Sequence, residues 1–260
     1  MSNPIKSIGI IREARADENR APLVPEHIKE LKLKYPNLNI LVQPSKNRCF
    51  SDDDYKSKGA EINEDLSNCD VIFGVKEIDA NVLINNKTYV FFSHTYKINN
   101  EVYHDSPITS EINKKELLKL ILEKNIKLID YENIRNENGK RYLGFGRFAG
   151  IVGCYNTLNL CLKNYNKQPL ARAHRINNYE RLITNLKNLY FPQINILVTG
   201  DGRVARGVIE VLEQTNIKEV SKEKFRNDKF NYPVFCNLET KDYVESKLNK
   251  EFDLNHFIQY

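Results

Sequence analysis

Short apolar runs alternate with polar, helix-patterned stretches along the first half of the chain. Ser7 to Ile11 reads as a strand, Pro25 to Tyr35 as a helix with Ile28, Leu31 and Leu33 as apolar positions, and Ile40 to Gln43 as the next strand. The rhythm continues through the acidic helix candidate Asp52 to Lys58 and the strands Val71 to Val75 and Tyr89 to Phe92. The helix Lys114 to Lys124 and the strand Lys127 to Asp130 follow. Strands alternating with helices predict an α/β fold with mainly parallel sheets. Asn136-Glu137-Asn138-Gly139 supplies turn chemistry, because Asn and Gly tolerate positive φ.

From Phe145 to Leu162 the chain is apolar and small. Gly146, Ala149, Gly150 and Gly153 fall at near-helical spacing, which suits a helix packed closely on another backbone. The junction between two domains is placed there, giving residues 1–145 and 146–260. A polar stretch Lys163 to Asn178, a helix Tyr179 to Leu189 and a strand Ile194 to Val198 come next. After a glycine turn and its helix, only Ile217 to Val220 and Val234 to Asn237 read as strands, followed by a helix Thr240 to Lys247. The expectation is therefore two Rossmann-like domains with parallel sheets, the second one truncated. No internal repeat or low-complexity tract is present.

The glycine turn reads Thr199-Gly200-Asp201-Gly202-Arg203-Val204-Ala205-Arg206-Gly207, between a clean strand and a clean helix. It matches the Gly-x-Gly-x-x-Ala form of a dinucleotide fingerprint, with a further glycine two positions late. Gly200 would make the tight turn, Gly202 would let backbone approach a pyrophosphate, and Ala205 would permit close helix packing. The helix N-terminus, entered through Arg203 and Val204, offers unpaired N–H groups to phosphates. Gly200, Gly202, Arg203 and Val204 are thus the cofactor-binding candidates. The acid expected near the end of the next strand is unclear, Glu219 being the nearest, so NAD is expected with NADP still open.

Composition narrows the choices. The 260 residues carry 39 Lys and Arg against 34 Asp and Glu, a net charge of +5, and 41% are hydrophobic, the profile of a globular protein. No apolar run approaches the roughly 20 residues of a membrane span, and the N-terminus lacks the apolar core of a signal peptide. A cytoplasmic protein is expected. Basic residues are interleaved with acids and apolar positions, so a solvated surface is favoured over a nucleic-acid footprint. Cys49, Cys69, Cys154, Cys161 and Cys236 are scattered, odd in number and without a CxxC pair, which suggests neither a disulfide framework nor a metal site.

Three polar clusters lie at the ends of apolar strands, where open α/β sheets put ligand sites. Arg12-Glu13 and Arg20-Ala21-Pro22 form the first, in which a guanidinium could hold a carboxylate or simply be solvated. The second pairs Gly74-Val75-Lys76-Glu77 with Ser93-His94-Thr95-Tyr96-Lys97. Lys76 and His94 at neighbouring strand ends could share proton transfer, although His94 taken alone reads more as a structural histidine than as a catalytic one. The third sets Tyr131-Glu132 near Lys140-Arg141, so that Glu132 could tune the cluster's charge and Arg141 hold a second carboxylate.

In this order the clusters, with Phe145-Gly146-Arg147-Phe148-Ala149-Gly150 and Gly200-Asp201-Gly202-Arg203, resemble the alanine dehydrogenase and pyridine nucleotide transhydrogenase N-terminal superfamily. Within it the chain looks most like the lysine-forming saccharopine dehydrogenase branch. The resemblance implies a reversible, NAD-linked oxidative deamination of saccharopine to lysine and 2-oxoglutarate, with a small amino-acid and keto-acid substrate pair. It implies Lys76 and His94 as the acid/base pair and Arg20, Lys97 and Arg141 around the substrate, with Glu77 and Glu132 tempering the positive cluster. An alanine dehydrogenase-like or carboxyalkyl amino-acid dehydrogenase, or an inactive nucleotide-binding remnant, are the alternatives. The oligomeric state is left open.

Overall fold

The computed structural model describes residues 5–95, 114–246, 251–254 and 257. It divides into two compact units, residues 1–143 and 144–260.

The first unit contains β1 (Ser7–Ile10), α1 (Pro25–Lys34), β2 (Asn39–Val42), α2 (Asp52–Ser57), β3 (Glu61–Ile62), β4 (Val71–Phe73), β5 (Thr88–Phe91), α3 (Lys114–Glu123) and β6 (Lys127–Asp130). Local chemistry sets the helix starts. Pro25 supplies the first helical residue of α1, and Ser51 caps α2 by accepting from the Asp54 N–H at 3.1 Å. The six strands pair in the order β3-β2-β1-β4-β5-β6, every pair parallel. All four residues of β1 are buried, and after Ser7 it carries no polar side chain, as a strand covered on both faces requires. Ile10, Ile28, Ile40, Val42, Tyr55 and Val90 belong to one core layer. Ile72, Tyr89, Phe91, Leu117 and Ile121 belong to the other, as the alternation Ile72/Phe73 and Phe91/Phe92 requires.

Because β1 pairs with β2 on one side and β4 on the other, the chain direction of crossovers reverses between β1 and β4. In such sheets the crevice beyond the carboxyl ends of those two strands is the ligand site. A cleft of about 330 Å³ lies there, lined by Ile11, Arg12, Glu13, Gln43, Glu77 and Asp79.

The second unit comprises α4 (Gly146–Asn164), α5 (Tyr179–Lys187), β7 (Asn195–Thr199), α6 (Arg203–Leu212), β8 (Lys218–Glu219), α7 (Lys222–Asn227) and β9 (Val234–Leu238). Its strands form a parallel sheet in the order β7-β9-β8. The close packing expected of α4 falls on α6. A Cβ built on Gly150 would collide with the carbonyl of Val204, and one on Gly207 with the carbonyl of Arg147. Gly153 has open space instead. The helix expected over Thr240 to Lys247 is a single 3-10 turn, Thr240–Asp242, among the described residues. Short α7 was not anticipated, although Ser221 caps it by accepting from the Lys224 N–H.

Candidate active site

Every side chain of the main cluster leaves the sheet just beyond a strand end. Glu13 follows β1, Lys76 and Glu77 follow β4, His94 follows β5 and Glu132 follows β6. Parallel pairing aligns these ends, so residues far apart in sequence converge.

Lys76 Nζ lies 3.4 Å from His94 Nε2. The other ring nitrogen, Nδ1, is 3.1 Å from Glu132 Oε2, and Oε1 of Glu132 accepts from Arg141 Nη1 at 3.2 Å. Glu77 Oε1 stands 3.8 Å from His94 Nε2. A carboxylate has only acceptors and an ammonium only donors, so with Glu132 and Lys76 in those forms Nδ1 carries the hydrogen of the His94–Glu132 bond and Nε2 accepts from Lys76. The arrangement is a continuous path Lys76–His94–Glu132–Arg141 in which two cations and the imidazole are balanced by Glu77 and Glu132. Glu132 is 5% exposed. His94 itself adopts φ +51°, a conformation unfavourable for a residue with a Cβ. Its ring stacks on Phe92, which in turn meets Tyr131.

Arg20 is bound by its neighbour. Its Nε and Nη2 donate to the two oxygens of Glu18 at 2.7 and 2.5 Å, which leaves the buried Glu18 carboxyl below its ordinary range despite desolvation. Arg12 is tied away from the cluster, donating to both oxygens of Glu64 and to the carbonyl of Pro44. Lys97 lies outside the described residues.

Sequence reasoning noted Glu13 only as part of a motif and gave it no role. Its carboxylate accepts the backbone N–H groups of Val75 at 2.7 Å and Lys76 at 2.9 Å, clamping the turn that presents Lys76. Burial pushes the Glu13 carboxyl above its ordinary value, with those two N–H groups opposing the shift. The available signal was a glutamate one turn beyond a strand that becomes the neighbour of β4.

In the second unit, β7 turns into α6 through Gly200, whose φ of +90° glycine alone accepts readily. The Gly200 N–H donates to the Leu238 carbonyl at 2.7 Å, fixing the turn to β9. Gly202 is the N-cap of α6 with no side-chain cap, and a Cβ there would meet nothing within 4 Å. A turn with open space and uncapped helix N–H groups fits a dinucleotide pyrophosphate. Gly200, Gly202 and the backbone of Arg203 and Val204 are the groups that could hold it. The Arg203 side chain runs back over Gly144 and Gly146. Ala205 is buried in the core, but the close backbone approach assigned to it belongs to Gly207. Glu219 lies exposed on β8.

The first unit brings a lysine and a histidine together at the ends of adjacent parallel strands, and the second unit carries a βα turn built on glycines. The chain belongs to the family described as "Alanine dehydrogenase/PNT, N-terminal domain", whose model matches residues 9–152. Among its relatives, alpha-aminoadipic semialdehyde synthase, mitochondrial, of Rattus norvegicus is 32% identical over 237 residues, covering 81% of this chain and 24% of that protein. Saccharopine dehydrogenase [NAD(+), L-lysine-forming] of Candida glabrata is 26% identical, covering 80% of this chain and 56% of that one. This chain thus spans about a quarter of the former relative's length and about half of the latter's. A solved L-alanine dehydrogenase shares the fold with a TM-score of 0.58 at 12% identity, over 88% of this chain and 60% of its own. No helix among the described residues is long and apolar enough to cross a membrane.

Proposed function

We propose that the chain carries the centre of an amino-acid oxidoreductase that converts saccharopine, NAD and water reversibly to lysine, 2-oxoglutarate and NADH, with NADP as the alternative nucleotide. The observation that carries this reading is the Lys76–His94–Glu132 path across the carboxyl ends of β4, β5 and β6. A nicotinamide, when bound, accepts hydride from the carbon that bears the secondary amine. The chain's own groups handle the protons. Lys76 Nζ and His94 Nε2 face each other, so a proton taken from the amine by one can pass to the other. The same pair then serves water addition to the imine and protonation of the departing lysine nitrogen. Arg20, Arg141 and Lys97 supply cations for the substrate carboxylates, and Glu77 and Glu132 limit the positive charge around a reacting nitrogen. A small-molecule substrate, without nucleic acid or membrane, suffices for this chemistry.

The test is nicotinamide absorbance during reduction of 2-oxoglutarate plus lysine, with NADH and NADPH in parallel, for the wild type, Lys76→Met and His94→Gln. Expected is wild-type turnover that falls about 10²- to 10⁴-fold in each variant. Turnover with pyruvate and ammonium in place of the lysine pair would overturn the substrate assignment. Turnover retained in both variants would overturn the site.

A further inference from the structure

We infer that Asp130, acting with Ser93, is a positioning residue that locks the orientation and tautomer of the His94 ring. Asp130 ends β6 and is buried at 8% exposure, and Ser93 is fully buried. One oxygen of the carboxylate, Oδ2, accepts from Ser93 Oγ at 2.5 Å. The other, Oδ1, accepts the backbone N–H of Glu132 at 2.8 Å. A single buried carboxylate therefore ties the residue preceding His94 to the residue whose side chain pairs with His94. On the far side of His94 the chain is tied back as well, since the Thr95 N–H donates to Ser93 Oγ at 3.2 Å and the two hydroxyls lie 2.8 Å apart.

This lock accounts for the left-handed backbone of His94. Such a conformation costs about 1–3 kcal/mol and persists only where surroundings over-determine it. Ser93, Asp130 and Thr95 are those surroundings, and none of them lies on the Lys76–His94–Glu132 path. With the ring held, Nδ1 faces Glu132 and Nε2 faces Lys76. A freed ring could turn over and exchange the two nitrogens. A hydrogen-bonded partner that fixes which nitrogen is protonated is a recurrent device for tuning imidazoles.

The inference rests on the proposed function only for its effect on turnover, because the ring's state can be read without activity. Long-range ¹H–¹⁵N spectra resolve the tautomers of the five histidines, and His94→Gln assigns the relevant signal. Wild type is expected to show one His94 tautomer with the hydrogen on Nδ1. Ser93→Ala and Asp130→Ala are expected to show exchange between both tautomers. Asp130→Asn, whose amide can still accept from the Glu132 N–H and donate to Ser93 Oγ, is expected to keep the wild-type pattern. In turnover, Ser93→Ala should lower kcat about tenfold while leaving KM within about twofold. If Asp130→Ala does not fold, Ser93→Ala decides. A folded Ser93→Ala with an unchanged His94 signal overturns the inference. A wild type with the locked tautomer and no turnover overturns the functional reading while leaving the lock standing.

Discussion

His94 Nδ1 and Glu132 Oε2 stand 3.1 Å apart across the ends of neighbouring strands β5 and β6. The register pairs Phe91 with Asp130, so each partner sits two or three residues past an aligned position. Short excursions from a rigid sheet hold the pair more firmly than long loops would. The same carboxylate holds Arg141, so one buried glutamate serves both the imidazole and a candidate substrate cation.

Replacing Glu132 by Gln tests that dual service. The amide oxygen can still accept from His94, but its NH2 then faces the Arg141 donors. Loss of one charge-assisted bond, about 1.5–3 kcal/mol, corresponds to roughly a 10- to 100-fold drop in turnover. Steady-state kinetics on the purified variant read this directly. Rates within about twofold of wild type would show that Glu132 is a bystander.

Much of this site was legible before the fold was known, because apolar runs of about four residues reveal strands, and charged residues immediately after them must lie at strand ends. Lys76 and His94 are weak signals singly and gain weight from standing at neighbouring strand ends among other charged residues. Glu13 did not, since its role depends on β1 lying beside β4, a neighbour relation set by strand order and not by sequence order. Arg12, one residue earlier, pairs with Glu64 instead. Gly207 was read as a late fingerprint glycine because its partner, Arg147 on α4, is sixty residues away (207 − 147). The over-long helix at Thr240 reflects a polar, charge-rich pattern that propensity alone does not terminate.

The contact between α4 and α6 predicts opposite outcomes for two glycines of one helix. Gly150→Ala drives a methyl into the Val204 carbonyl and is expected to cost about 1–3 kcal/mol or more. Gly153→Ala adds a methyl to open space and is expected to gain about 0.5–1 kcal/mol from reduced unfolded-state entropy. Urea unfolding of the two variants provides the comparison. Equal shifts in the same direction would mean that the helices do not approach as described.

Asp70 fixes the start of β1. Its Oδ2 accepts the N–H groups of Lys6 at 2.8 Å and Ser7 at 2.9 Å and the Ser7 hydroxyl at 3.1 Å. The Lys6 N–H, helped by Ser7 and opposed by slight desolvation, holds the carboxyl below its ordinary value. A lowered folded value means that the native state binds fewer protons than the unfolded chain. The stabilisation is present above the ordinary aspartate range and disappears as pH falls through the folded value. Asp70→Asn should therefore be less stable than wild type near neutrality, with the gap closing in acid. Denaturant midpoints measured from about pH 6 down to about pH 2.5 test this, and a gap that widens in acid would contradict it.

Glu13 behaves with the opposite sign. Burial raises its carboxyl, so within the window between the ordinary and the folded value the native state binds more protons than the unfolded chain. Wild-type stability then declines as pH rises through that window and is flat above it, as far as this group is concerned. Glu13→Gln lacks the ionisation, so the difference between wild type and variant should shift toward the variant as pH rises from the ordinary glutamate range. Chemical denaturation of both proteins from about pH 4 to about pH 8 reads that difference, and a difference that grows in favour of wild type with rising pH would exclude the assigned burial effect. Turnover should move the other way. Gln offers one acceptor oxygen where the carboxylate offers two, so either Val75 or Lys76 loses the acceptor of its N–H. The turn that presents Lys76 to His94 is then released. A variant whose stability relative to wild type rises with pH while its turnover falls would separate the clamp's role in the site from its contribution to the fold.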